Sequence, residues 1–122
     1  VCPAPGLQAP YGIGISCHAK FFSVCVLMRR AGGLRTWHGR FPANRMCFAG
    51  SCLWVREKMR AVGPAPLRYT IDAAGPHVAE ICAAWGGSPS LVAAPVAHRR
   101  GIMGDPTNAE VLAWDSYESA AV

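Results

Sequence analysis

The chain is poor in charge and poorer still in acid. Only 16% of its 122 residues are charged, and seven Asp and Glu stand against twelve Lys and Arg, a net charge of +5. With 52% apolar residues it is not a solvated, disordered polymer, and its length suits one domain with a sizeable core. No apolar run approaches the length of a bilayer span and no segment reads as a signal peptide, so no membrane partner is expected. Internal repeats and low-complexity tracts are absent, which excludes solenoids and arrays. The six cysteines form no Cys-x-x-Cys pair, and His38, Cys47 and Cys52 are badly spaced for zinc. Cys17, Cys25 and Cys82 lie inside apolar segments, where a free thiol behaves as a small hydrophobe. The cysteines therefore read as reduced thiols of a cytoplasmic protein rather than as three disulfides. Starting at Val1 rather than Met, the chain is expected to be a fragment or a translated open frame.

What is present is a succession of short apolar segments with clear punctuation. Residues 1–10, "VCPAPGLQAP", are a proline-rich lead-in, and the domain is expected over 11–122. Tyr11–Cys17 and Phe21–Met28 read as strands joined by a short hairpin turn, the second apolar on both faces. After "RRAGG", Leu34–Phe41 alternates with polar residues and reads as an edge strand ended by Pro42. A helix is expected over Ala43–Ala61, with Phe48, Cys52, Val55 and Met59 as its apolar stripe, weakened by Gly50. Leu67–Asp72 is a fourth strand, Pro76–Trp85 a helix closed by Gly86 and Gly87, and Ser90–Pro95 a fifth strand. The basic loop "VAHRRGIMG" follows, then Asp105 and Pro106 read as N-cap and first residue of a last helix. This order predicts an α/β fold, a mixed five-stranded sheet flanked by helices.

Polar side chains sit where two of these strands end. Ser16 closes the first strand and Asp72 the fourth. If those strands lie parallel and adjacent, both residues reach the carboxyl edge of the sheet, where open α/β folds place their sites. Asp105 and Asn108, three apart on one helical turn, share a face that could point at the same edge. Carboxylates so grouped suit a pair of magnesium ions, hard cations that clamp the oxygens of a phosphodiester.

These segments resemble the N-terminal domain of the insertion-sequence one-ten (IS one-ten) transposase and Piv recombinase family over about Tyr11 to Ala113. The family's opening Gly-Ile-Asp-Val-His-Lys reads here as Gly14-Ile15-Ser16-Cys17-His18, with Lys20 after an extra Ala19. Its Glu-Ala-Thr-Gly reads as Asp72-Ala73-Ala74-Gly75. Its next helix, strand and basic stretch read as "HVAEICAAWGGSPSLVAAPVAHRRG", and its Asp-x-x-Asp-Ala-x-x-Leu-Ala as the run Asp105 to Ala113. The resemblance implies a ribonuclease-H-like, RuvC-like domain whose catalytic positions are Ser16, Asp72, Asp105 and Asn108. Asp72 and Asp105 would be the remaining ligands for Mg2+, and His98, Arg99 and Arg100 would contact nucleic acid. It also implies DNA as partner, a structured guide RNA, a homo-oligomer, and a separate C-terminal serine domain, which is expected to be absent here.

The departures from the family pattern bear on activity. Two of four acids are replaced, by Ser16 and Asn108, and a third is shortened to Asp72. Losing two formal charges is expected to weaken divalent-cation binding by several kcal/mol. A catalytically impaired transposase domain is therefore expected, or a non-catalytic nucleic-acid-binding relic. Each residue also has a plainer reading. Ser16 can simply end a strand, Asp72 cap a turn, Asp105 cap a helix, and Asn108 solvate a helix start. A rival function is a papain-like cysteine protease built on Cys52 in "AGSCLW" and His98, with Cys52 equally at home in the apolar helix stripe.

Overall fold

The computed structural model describes residues 11–92 and 108–121. Strand β1 spans Tyr11–Cys17, β2 Phe21–Arg30 and β3 Gly33–Pro42. Helix α1 spans Arg45–Lys58, followed by a short 3-10 turn at Arg60–Val62. Then come β4 (Arg68–Asp72), α2 (Val78–Trp85), β5 (Ser88–Val92) and α3 (Asn108–Ala121). The strands form one sheet in the order β3-β2-β1-β4-β5. The first three are an antiparallel meander, while β4 joins β1 in parallel and β5 joins β4 in parallel. The fold is thus α/β, with a mixed five-stranded sheet flanked by helices, and β3 is an edge strand as its polar alternation predicts.

Two separate apolar layers explain why β1 and β2 are buried on both faces. Ile13, Ile15, Phe22, Val24, Val26 and Met28 point to the side covered by α1 and α2. Cys25 and Leu27 point to the other side, under Ala109, Ala113 and Tyr117 of α3. On that second side β1 presents only Gly12, Gly14 and Ser16. A Cβ at Gly14 would overlap the Ala109 carbonyl and the Ala113 amide, and one at Gly12 would overlap the Ala113 carbonyl. Helix and strand backbones touch directly there, which only glycine allows.

Several boundaries differ from the sequence expectation. Helix α1 starts at Arg45, where the Asn44 side chain accepts a hydrogen bond from the Cys47 amide at 2.9 Å. Gly50 does not break it, because the flanking Phe48, Ser51 and Val55 are buried and their packing outweighs propensity. The buried stripe is Phe48, Ser51, Val55 and Met59, with Cys52 only half-buried. Ser51 wins that place because the Trp85 indole of α2 donates to its hydroxyl at 3.0 Å, while the hydroxyl donates to the Phe48 carbonyl at 2.8 Å. Helix α2 begins at Val78 rather than Pro76, since His77 takes a left-handed conformation (φ 66°). Strand β5 starts at Ser88, two residues earlier than expected, and the expected end at Pro95 lies outside the described residues, as does the lead-in 1–10.

The Ser51–Trp85 pair makes a prediction. Ser51→Ala leaves a buried indole N–H without a partner and is expected to cost about 1–3 kcal/mol in urea unfolding. The coupling is readable in a double-mutant cycle with Trp85→Phe, and additive losses would rule the bond out as a contributor.

Candidate functional site at the carboxyl ends of β1 and β4

The parallel pairing of β1 with β4 matches Gly14 to Thr70 and Ile15 to Ile71. One step further, the same register sets Ser16 beside Asp72. Both are buried, at 3% and 8% exposure, which matters because a polar side chain at that depth needs partners. Asn108, the first residue of α3, supplies them. Its amide nitrogen lies 3.3 Å from Ser16 Oγ and 3.3 Å from Asp72 Oδ2, donating to both. Asp72 Oδ1 accepts from the Ala74 amide at 3.0 Å, so both carboxylate oxygens are engaged. Three residues from three distant parts of the chain thus form one hydrogen-bonded cluster, as the sequence expectation placed them. Asp105, His98, Arg99 and Arg100 lie outside the described residues.

Helix α3 reaches this depth because of the glycine face of β1 and because its other end is anchored. Arg68 at the start of β4 donates to the Ser116 carbonyl at 2.9 Å and the Ser116 hydroxyl at 3.2 Å. It also donates to the Tyr11 carbonyl at 3.1 Å, with its guanidinium 4.7 Å from the Tyr11 ring centre. Neither Arg68 nor Gly12 and Gly14 was singled out by reading for chemistry. Alternating glycines in an otherwise apolar strand are the signal that marks such a close backbone approach.

The cluster is built for hydrogen bonds rather than for a divalent cation. Among the described residues it holds one carboxylate, one hydroxyl and one amide, and the amide turns its N–H2 toward the other two. Hard cations need oxygen ligands and negative charge, and the inward face of Asn108 offers a donor instead. No group of three or more His, Cys, Asp or Glu side chains among the described residues is placed to hold a metal ion. The described donors, Asp72, Ser16 and Asn108, do not by themselves make up the magnesium pair implied by the sequence resemblance, whose other expected ligand, Asp105, lies outside the described residues. His38 faces the opposite side of the sheet from Cys47 and Cys52, which removes that zinc set as well.

The surroundings are chemically quiet. Cys17, next to Ser16 but facing the α1 side, has its thiol pushed up to about 12 by burial, with the Asp72 carboxylate adding to the effect. It stays protonated and is a poor nucleophile. Cys52 sits mid-helix in α1 and packs against the core, a poor setting for a protease nucleophile, and its pairing with His98 falls outside the described residues. No helix among the described residues is long and apolar enough to cross a membrane.

His77 joins the two loops that leave the site. Its Nδ1 lies 2.9 Å from Glu80 Oε2 and its Nε2 3.1 Å from the Ala19 carbonyl in the β1–β2 turn. Both partners are acceptors, so only the doubly protonated ring satisfies both, and the Glu80 bond, then the Ala19 bond, raise its pKa above the ordinary 6.5. A raised folded-state value means the contribution is fully present below about pH 6.5 and fades as pH rises through the folded pKa. Against His77→Asn, which keeps a residue tolerant of the left-handed backbone, the wild-type urea midpoint is expected to gain on going from about pH 9 to about pH 6. An equal difference at both pH values would exclude this linkage.

No family model matches this chain, and no curated protein sequence matches it. The functional reading rests on the geometry and on the sequence motifs.

Proposed function

We propose that the chain is a ribonuclease-H-like, RuvC-type domain of the IS one-ten transposase kind in which a hydrogen-bonded cluster of one carboxylate, one hydroxyl and one amide replaces the metal site. In this reading it holds DNA without cutting it unaided. The observation that supports it is the Asn108 amide bridging Ser16 and Asp72 at the neighbouring ends of two parallel strands. Those are the positions at which the family motif carries its acids. Asn108 neutralises part of the buried Asp72 charge by donation, the role a cation would otherwise fill. DNA is the partner this reading implies, with a structured RNA and further copies of the chain as the family's other partners.

The test is a calorimetric Mn2+ titration of the chain and of its Ser16→Asp, Asn108→Asp variant. Tight binding by the variant alone supports the reading. Binding by neither, with both proteins folded, overturns it.

A further inference from the structure

A second feature lies away from this cluster, at the opposite end of β3. Ser16 pairs with Ser23, and Ser23 with Arg40, so Arg40 marks the site end of the edge strand. Arg35 is five residues back along β3, about 17 Å away at the usual rise of an extended chain. There Arg30 and Arg35 both lie over the Trp37 indole, at 5.5 and 5.2 Å from its centre. Arg30 also lines a shallow hollow of about 430 Å3 together with Lys58, Arg60, Glu57 and Ala61. Lys58 in turn lies 5.5 Å from the Trp54 ring centre. Arg30 thus links the indole shelf to the hollow, and four cations face one carboxylate.

We propose that this face, with Arg30, Arg35 and Lys58 over the Trp37 and Trp54 shelf and Arg60 in the adjoining hollow, docks the phosphate backbone of double-stranded DNA. Charge complementarity selects a polyanion. The choice of DNA as its source rests on the function proposed above. The aromatic rings select the duplex over an unpaired strand. Trp37 and Trp54 are covered by their cations, so they offer bases no open stacking platform, while guanidinium and ammonium groups are left to meet phosphates. Indoles beneath the cations fix otherwise mobile side chains, which lowers the ordering cost of binding.

The experiment is fluorescence anisotropy with a DNA duplex of about 20 base pairs across about 50–200 mM salt, comparing two charge-matched variants. One carries Arg30→Gln, Arg35→Gln, Lys58→Gln and Arg60→Gln. The other carries Lys20→Gln, Arg29→Gln, Arg40→Gln and Arg45→Gln. The first is expected to bind at least about tenfold more weakly, with a salt slope smaller by about one per lost phosphate contact. The second is expected to stay within about threefold of wild type. Circular dichroism and melting confirm that both stay folded. Equal losses in the two variants mean a bulk charge effect and overturn the proposal. A stronger affinity for single-stranded DNA or for duplex RNA overturns the assignment to duplex DNA. Failure of the wild-type chain to bind DNA at low salt overturns the proposal, while the manganese titration separately decides the nature of the strand-end cluster.

Discussion

Manganese is expected to bind the Ser16→Asp, Asn108→Asp variant at least roughly a hundredfold more tightly than the wild-type chain, since ligand charge count spans several orders of magnitude in oxygen-ligand sites. The expectation follows from the present hydrogen bonds. Asn108 directs an N–H2 at Ser16 Oγ and Asp72 Oδ2, both at 3.3 Å. Replacing it with a carboxylate turns a donor into an acceptor at a point already within reach of both partners. Replacing Ser16 adds a second acid beside Asp72. Without metal the variant gathers carboxylates in a buried place, and their mutual repulsion is expected to lower its melting temperature and raise their pKa values. Manganese should restore the melting temperature along with binding. Recovery of stability without a calorimetric signal, or equally tight binding by the wild type, would argue against the cluster as a displaced cation site.

Gly14→Ala is expected to destabilise the fold by about 3 kcal/mol, the upper end for overpacking, and Gly14→Val by more. The new Cβ would meet backbone atoms of α3, the Ala109 carbonyl and the Ala113 amide, rather than the yielding tip of a side chain. Only a shift of the whole helix relieves it, and that shift draws Asn108 away from Ser16 and breaks the Arg68–Ser116 anchor at the far end. Gly50→Ala is the internal contrast. No atom lies within 4 Å of a Cβ there, and the residue is mid-helix, so the change is expected to stabilise by about 0.5–1 kcal/mol. Urea unfolding of the three variants reads both signs. A loss of only a few tenths of a kcal/mol at Gly14 would mean the helix–strand contact is softer than its geometry implies.

The two predictions meet in one structural fact. The site depends on how deeply α3 lies against β1, and that depth is set by residues without functional groups. Motif reading found the polar members of the cluster because each ends a strand or opens a helix, and both signals are local. It passed over Gly12, Arg68 and Ser116 and the packing role of Gly14, which exist only once strand and helix are in contact. The helix stripe shows the same division. Periodicity correctly marked Phe48, Val55 and Met59, but it chose Cys52 over Ser51 because a thiol looks more apolar than a hydroxyl. The buried partner that reverses the choice, Trp85, is 34 residues away. The two acceptors of His77 likewise come from its own helix and from a turn 58 residues earlier.

Sequence by itself determined the five strands and three helices of the described residues, the antiparallel meander, the edge position of β3 and the polar character of the β1 and β4 ends. Those features follow from side-chain alternation, helical period, and the backbone limits of Gly, Pro and Asn, which act within a few residues. Tertiary structure alone decided that Asn108 reaches Ser16 and Asp72 with an N–H2, that β1 accepts a helix against its bare backbone, and that three cations gather over two indoles. Each of these joins segments tens of residues apart. Closing such loops has an entropic cost that no local pattern repays, so it is offset only by the collective burial of two apolar layers against the sheet.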